Sequence, residues 1–467
     1  MATFTVTSGL STPVDVPAGF DTVDFGQLGS GIVARFALDS ARVYGGSDII
    51  ARWGDDVVRV NGTAQADILV AADGETLAGR AGNDTFRDGG AAAAGSRMYG
   101  GLGNDHFTLG SIGSVARGDG GNDTFYVRSP ADALVSGGEG ADRVFATGGQ
   151  GLDALGGAGN DSFLLKSTAH TVVFGGAGDD HVSASHGSAV RIDTGAGADR
   201  VLLNAVEGAR VNTGADADSV RLLNLDNARV NTGAGDDRIT MKQSDGNWIA
   251  AGEGDDRVMV GEGTLGHHLS GGAGKDVLVY WNTRPGTSDN VTLDLRDGIL
   301  KADGATVART SGFESIYTED GDDRLVGDAN ANGLYGGGGE DRLFGREGDD
   351  LIYGGEGDDF IYAGNGHDVV SGGAGDDYFK AGRDGDRFIF DDLNAGETDT
   401  ISIFGRLDKL DFRGAVDSLG ELKIKINADD SATIKVAVDG GFHTVRIEEL
   451  LDTHSLTDQL AAHVLIG

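Results

Sequence analysis

The 467-residue chain contains no cysteine and no run of about 18 apolar residues. The lack of cysteine excludes a disulfide framework, so an extracellular protein of this sequence needs another stabiliser, for which bound metal is the usual substitute. The lack of a long apolar run excludes a transmembrane helix. The first twenty residues carry neither the charged region nor the apolar core of a Sec signal peptide, so we expect a cytosolic protein or export by a route that does not read the N-terminus.

Basic residues are scarce as well: 37 Lys and Arg face 74 Asp and Glu, which gives a net charge of −37. Such a field repels nucleic acid and anionic membranes, and it attracts cations. Acidic, glycine-rich chains are often disordered. Here, however, 39% of the residues are hydrophobic and regularly spaced, which favours a folded structure after residue 60.

Motifs of several enzyme classes are missing. The chain has no H-E-x-x-H metalloprotease motif and no G-x-S-x-G nucleophile elbow. "GGAGKD" at Gly271 imitates a P-loop, but Asp276 stands where Ser or Thr should bind Mg²⁺. About 60 residues precede the first repeat, too few for a separate catalytic domain. We therefore expect no enzymatic activity, with a polysaccharide lyase or epimerase built on the repeats as a distant alternative.

Two repeats are present. From 318 to 389 the chain divides into eight units of nine residues, close to G-G-x-G-x-D-x-apolar-x, as in "GGEGDDFIY" and "GGAGDDYFK". Upstream, an aspartate in the same sequence context recurs every 19 residues. The sixth-place aspartates, our candidate metal ligands, are Asp67, Asp84, Asp105, Asp123, Asp142, Asp161, Asp180, Asp199, Asp218, Asp237, Asp256, Asp276, Asp323, Asp341, Asp350, Asp359, Asp368, Asp377 and Asp386, with Asn332 in the second nonapeptide.

Apolar residues follow the 19-residue period too. Three columns start at Phe125, Val127 and Val135 and continue through each later copy. Spacing of two within a unit predicts short strands with one buried face, and identity between units predicts that each strand stacks on its next copy. One coil of 19 residues, or of two nonapeptides, then holds two strands and two turns. The fold predicted is all-β, a parallel β-roll or β-solenoid of stacked coils with caps at both ends.

The turns predict a calcium site. Glycines at places one, two and four permit positive φ and close backbone approach, so that carbonyl oxygens converge beside the sixth-place carboxylate. A flexible, anionic cage of oxygens suits Ca²⁺ better than Zn²⁺ or Mg²⁺. Stacked carboxylates about 5 Å apart repel without a cation, so we expect calcium to be part of the fold. One column of sites is predicted along the 19-residue coils and two along the nonapeptides.

These repeats resemble those of the RTX (repeats-in-toxin, haemolysin-type) calcium-binding proteins, over about residues 61 to 467. The resemblance implies a parallel β-roll in which backbone carbonyls and sixth-place aspartates hold Ca²⁺ between turns one coil apart. It also implies type I secretion, with an uncleaved signal at the C-terminus around "LTDQLAAHVLIG". A plain capping domain is the alternative for that end.

Five segments are expected: 1–60 as an N-terminal β cap, 61–276 as 19-residue coils with one-sided calcium turns, 277–317 as a connector, 318–390 as the nonapeptide β-roll, and 391–467 as the C-terminal cap and secretion signal. The function favoured is an extracellular, calcium-binding structural or cell-surface protein that folds on calcium and self-assembles into a layer or matrix.

A second function is suggested by arginines at 19-residue spacing, Arg191, Arg210 and Arg229. They should form a ladder on one face, next to Asn212 and Asn231 and to threonines 194, 213 and 232. The ladder either relieves a very acidic surface or binds an anionic glycan such as lipopolysaccharide, which would make the protein a monomeric adhesin.

Overall fold

The computed structural model describes residues 3–5, 14–15, 22–25, 32–35, 42–45, 51–52, 59–71, 74–88, 95–128, 131–261, 264–281, 288–405, 407–413, 415, 422–426, 431–438, 440–450 and 464–465. Most of the expected N-terminal cap and secretion signal, and part of the connector, lie outside these residues. Strands are the only regular secondary structure of the described residues, and they form a parallel β-solenoid, as predicted. It divides into two compact units, Met1–Asp237 and Arg238–Gly467.

The first unit has two long parallel sheets. The first contains Thr3–Thr5, Thr22–Asp24, Arg59–Asn61, Thr76–Ala81, Arg97–Leu102, Val115–Gly120, Leu134–Glu139, Asp153–Ala158, Val172–Ala177, Arg191–Ala196, Arg210–Ala215 and Arg229–Ala234. The second contains Ile32–Arg35, Ile68–Val70, Thr85–Arg87, His106–Leu109, Thr124–Arg128, Arg143–Thr147, Ser162–Lys166, His181–Ser185, Arg200–Asn204 and Ser219–Leu223. Arg42–Gly45 pairs antiparallel with Ile32–Arg35, and Val14–Asp15 pairs with Ala51–Arg52.

The core of this unit consists of stacked identical positions. Side chains alternate between the inside and the outside of each strand, so that every second residue joins a column along the stack. All members of the three predicted columns in this unit are at most 4% exposed, which confirms the prediction. Phe86, Phe107 and Phe125 stack face to face with ring centroids 4.7 Å apart.

The second unit repeats the two-sheet plan. One side contains Trp248–Glu253, His267–Ala273, Val291–Asp294, Ile299–Ala302, Ala305–Ser311, Arg324–Val326, Arg342–Glu347, Phe360–Asn365, Tyr378–Lys380, Thr398–Phe404, Leu422–Ile426, Ala432–Val438 and Gly441–Leu450. The other contains Arg238–Lys242, Arg257–Gly261, Val277–Trp281, Ser315–Tyr317, Gly333–Gly338, Leu351–Glu356, Val369–Ala374, Arg387–Ile389, Lys409–Asp411 and Val464–Leu465.

Two parts of this unit depart from parallel pairing. Ile299–Ala302 pairs antiparallel with both Val291–Asp294 and Ala305–Ser311. Near the C-terminus, Leu422–Ile426, Ala432–Val438 and Gly441–Leu450 form an antiparallel meander that continues from the parallel pair of Thr398–Phe404 with Gly441–Leu450. No helix long and apolar enough to cross a bilayer is present among the described residues.

Candidate calcium-binding turns

The turn Gly137–Asp142 shows how one coil builds a site. Gly138 and Gly140 have φ values of 123° and 119°, which L side chains rarely adopt. A Cβ atom on either glycine would lie 2.1 Å from a carbonyl oxygen of the preceding coil. Glycine is therefore strongly favoured at places two and four, because successive turns stack backbone against backbone.

The sixth-place aspartates form a hydrogen-bonded ladder. The backbone N–H of Asp123 donates to Oδ1 of Asp142 at 2.7 Å, and the N–H of Asp142 donates to Oδ1 of Asp161 at 2.7 Å. In the first unit this pattern runs without a break from Asp67 to Asp237. Each carboxylate thus fixes the turn of the coil before it.

The second carboxylate oxygen is buried without a protein partner. A Cβ on Gly137 would lie 1.9 Å from Oδ2 of Asp142 and 2.6 Å from the carbonyl oxygen of Gly156, so these two oxygens converge on the space that the glycine leaves open. The glycine-first turns whose Oδ2 atom is buried and accepts no hydrogen bond are those of Asp84, Asp105, Asp123, Asp142, Asp161, Asp180, Asp276, Asp341, Asp350, Asp359 and Asp377.

Burial makes the charged form of these carboxylates unfavourable. The pKa is raised to about 8 for Asp84 and Asp359 and to about 7 for Asp161. Burial is the main cause, one backbone hydrogen bond acts in the opposite direction, and adjacent aspartates add to the increase. Two charges one strand spacing apart repel by roughly 3 kcal/mol at an effective dielectric constant of about 20. At neutral pH the column needs either protons or cations.

The donors present fit calcium. Each turn supplies one carboxylate oxygen and backbone carbonyls, which are hard oxygen ligands. Among the described residues, no group of three or more His, Cys, Asp or Glu side chains could hold a metal by itself, so carbonyl oxygens must complete any such site. A flexible carbonyl-rich cage is suited to Ca²⁺ rather than to Zn²⁺ or Mg²⁺.

The nonapeptide coils carry two ladders of sixth-place side chains, one on each edge, and metal binding along both stays a prediction. Hydrogen bonds of 2.7 to 2.9 Å link Asp323, Asp341, Asp359 and Asp377 on one edge. On the other edge, bonds of 2.8 to 3.1 Å link Asn332, Asp350, Asp368 and Asp386. The second of these ladders begins before the nonapeptides, where the N–H of Asp256 donates to Asp276 at 2.9 Å, and it reaches Asn332 through Glu314.

Three ladder residues were not predicted. Asp399 and Asp408 extend the nonapeptide columns by accepting hydrogen bonds from the N–H groups of Asp377 at 3.1 Å and Asp386 at 3.0 Å. Glu314 accepts from the N–H of Asp276 at 2.7 Å. The period breaks at these residues, so the repeat does not predict them, although a glycine lies three places before both Asp399 and Asp408.

A second, exposed ladder also escaped prediction. The fifth-place side chain accepts a hydrogen bond from the backbone of the next coil, as Asn104 does from the N–H of Asn122 at 2.8 Å and Asp358 from that of Asp376 at 2.8 Å. The sixth-place side chain bonds to the coil before. Each turn is therefore hydrogen-bonded to the coil before it and to the coil after it, which explains the frequency of Asn and Asp at place five.

The arginines of the proposed strip are in register and exposed. Arg191 pairs with Arg210, and Arg210 with Arg229, on adjacent strands. Asn231 donates to Asn212 at 2.8 Å in the neighbouring outward column. The threonines were placed wrongly: they occupy place one of their turns, are 0% exposed, and point into the coil, with Thr194 Oγ1 donating to the carbonyl oxygen of residue 213 at 3.1 Å. Strand alternation puts them on the opposite face from the arginines.

One comparison with known protein families agrees with this geometry. The model of the RTX calcium-binding nonapeptide repeat, in four copies, matches residues 170–188, 244–264, 310–343, 335–370, 344–379 and 353–388. No curated protein matches the chain. The crystal structure of the extracellular lipase LipA from Serratia marcescens matches over 54% of this chain and 40% of the lipase, with 12% identity and a TM-score of 0.14. The chain spans less than half the length of that lipase, and so low a score carries no argument. The protein thus carries RTX calcium-binding nonapeptide repeats, built into a parallel β-solenoid.

Proposed function

We propose that the protein is an extracellular, non-enzymatic structural protein whose solenoid folds when its turns bind calcium. One observation carries the proposal: the columns of buried carboxylate oxygens that accept no hydrogen bond. Bound Ca²⁺ would supply the positive charge that these columns lack. The sixth-place aspartates and the carbonyl oxygens facing them would hold the ion.

Folding and calcium binding should then form one equilibrium. A cation that binds the folded columns and not the unfolded chain stabilises the fold by mass action. Sites of extracellular calcium modules are half-filled at about 10⁻⁴ to 10⁻³ M. The chain would stay unfolded at cytosolic calcium, pass through a type I export channel, and fold outside.

Metal-stripped protein tests this proposal. At pH 7.5 we expect a coil-like circular dichroism spectrum that becomes β-rich on adding millimolar CaCl₂, and no such change with equal MgCl₂ as the control. Metal analysis after dialysis should find several calcium ions per chain. Equal β content with and without calcium would refute the coupling of folding to calcium.

Self-assembly into a surface layer or matrix is the finer part of the proposal. It is supported by the charge of −37, because calcium can bridge the acidic faces of adjacent copies. Light scattering during the same titration should show large particles that EDTA disperses. Scattering that stays monomeric after folding would instead favour the adhesin function.

The adhesin is the second candidate, and the arginine strip favours it. Surface arginines such as Arg80, Arg387 and Arg413 pair with carboxylates. Among the described residues, Arg191, Arg210 and Arg229 have no ion pair, as is also true of Arg143, Arg200 and Arg221, but the first three lie in register on adjacent strands and the other three do not. Charge relief would place arginines beside carboxylates. An unpaired cationic ladder beside an amide ladder suits an extended anionic glycan better.

A further inference from the structure

The turn Gly327–Asn332, the first nonapeptide turn of its column, differs from the turns that follow it. Its sixth place is Asn332, a neutral amide, where the next three turns have aspartate. Oδ1 of Asn332 accepts a hydrogen bond from the N–H of Asp328 at 2.8 Å, and Nδ2 donates to the carbonyl oxygen of Glu314 at 3.3 Å. The side chain is therefore satisfied by the protein, unlike the Oδ2 atom of Asp350 one coil later.

A cationic side chain spans the layers next to this turn. Arg346 belongs to the following turn and donates through Nη1 to the carbonyl oxygen of Gly327 at 2.8 Å. Its guanidinium also forms a two-point ion pair with Asp294, at 3.0 Å and 2.6 Å. Arg346 thus connects its own turn, the turn Gly327–Asn332 and the strand Val291–Asp294 that precedes the nonapeptides.

The backbone at Arg346 indicates that this residue is retained for its side chain. Arg346 stands at place two, where most repeats have glycine, and its φ is 84°. A non-glycine residue with this φ is strained. Glycine would relieve that strain and lose the ion pair, so the interactions of the guanidinium offset it.

The first unit shows the same arrangement. In its opening turn, Thr63 donates to both oxygens of Asp67, from the backbone N–H at 2.6 Å and from Oγ1 at 3.1 Å. In the following turn, Arg80 stands at place two with φ of 86° and pairs with Asp24 at 2.7 Å. In both cases protein groups satisfy the opening turn of a run of repeats, and an arginine from the next turn pairs with an aspartate that precedes that run.

We propose that Arg346, which binds the carbonyl oxygen of Gly327 and pairs with Asp294, takes the place of a cation at the start of the nonapeptides, so that the turn Gly327–Asn332 closes without calcium and fixes where the calcium-dependent nonapeptide coils begin. A sixth-place aspartate in that turn would add an uncompensated charge, whereas asparagine does not. The site between turns 327–332 and 345–350 therefore takes no calcium, in contrast to the repeats that follow.

Restoring the repeat consensus tests this assignment. The double variant Asn332→Asp/Arg346→Gly should bind one more calcium ion per chain than the wild type, counted by native mass spectrometry and by metal analysis after equilibrium dialysis. Arg342→Ser, which removes an exposed arginine of the same strand, is the control and should bind the wild-type number. An unchanged ion count in a folded double variant would overturn the proposal.

A second measurement covers a double variant that fails to fold. In calcium-free wild type, hydrogen exchange should be at least ten-fold slower in peptides covering 324–335 than in peptides covering 360–379. Arg346→Gly alone should abolish that difference, and Arg342→Ser should keep it. Equal exchange of the two regions in calcium-free wild type would also overturn the proposal, whether or not calcium drives the folding of the other coils.

Discussion

Oδ1 of Asp359 accepts a hydrogen bond from the backbone N–H of Asp341 at 2.9 Å, whereas Oδ2 of Asp359 is buried and accepts none. The two oxygens of one carboxylate thus serve different ends. One fixes the stacking of coils, and the other is available to a cation. Substitutions that separate these roles should separate fold stability from calcium binding.

Asp359→Asn keeps the acceptor at Oδ1 and removes the charge. We expect fewer bound calcium ions, together with greater stability of the metal-free protein because a buried charge is lost. Asp359→Ala also leaves the Asp341 N–H without a partner, which should destabilise the protein by about 1–3 kcal/mol relative to the asparagine variant. Urea unfolding with and without calcium, combined with ion counting, measures both effects. A wild-type ion count in Asp359→Asn would contradict the assignment.

Acid should substitute for calcium. The pKa of buried carboxylates such as Asp84, Asp161 and Asp359 is raised from 3.8 to about 7 or 8 in the fold. From about pH 4 to about pH 8 the folded protein therefore binds more protons than the unfolded chain. The stability of metal-free protein should therefore fall as pH rises from about 4 to about 8.

Urea unfolding of dialysed, metal-free protein at several pH values between 4.5 and 8 measures this dependence. The same series in 5 mM CaCl₂ is the control, and there the decline should be much smaller because the cation replaces the protons. Metal-free stability that increases with pH over this range would contradict the assignment of the buried carboxylates as the source of the instability.

Two adjacent residues test the core. Phe163 is 1% exposed and packs in the inward column, whereas its neighbour Leu164 is 47% exposed on the same strand. Phe163→Ala should cost about 3–5 kcal/mol of unfolding free energy in calcium. Leu164→Ala should change it by about 0.5 kcal/mol or less. Equal effects of the two substitutions would mean that the inward and outward faces are misassigned.

The arginine strip makes a charge-matched comparison possible. Replacing Arg191, Arg210 and Arg229 with serine should weaken binding to polygalacturonate at least ten-fold at low salt, because three unpaired cations lie in one line. Replacing the exposed Arg143, Arg200 and Arg221, which removes the same charge without removing the ladder, should leave binding nearly unchanged. Equal weakening by both triple variants would indicate a general charge effect and no specific strip.

Much of the fold follows from periodicity in the sequence. The position of Phe163 and its copies two places after an aspartate predicted both the strand and the buried face. The threonines were misplaced because Thr194 was grouped with Arg191 by spacing, although three residues along a strand reverse the direction of a side chain.

The ends of the columns could not be predicted from the repeat. Asp399 lies 22 residues after Asp377, where a period of 18 was expected. The roles of Arg80 and Arg346 depend on partners that are distant in sequence, Asp24 and Asp294. Their only local signal is a non-glycine residue at place two. Deviations from a repeat therefore identified the specialised turns, but their partners required the structure.

The central claim is that calcium completes the solenoid. The most direct measurement is the unfolding free energy of metal-free protein at pH 7.5, followed as calcium is titrated from 10⁻⁶ to 10⁻² M. The account predicts little or no folded structure at the lowest concentrations, and a steep gain in stability near 10⁻⁴ to 10⁻³ M as several ions bind. A protein that is fully folded without calcium, with an unfolding free energy that calcium does not change, would contradict it.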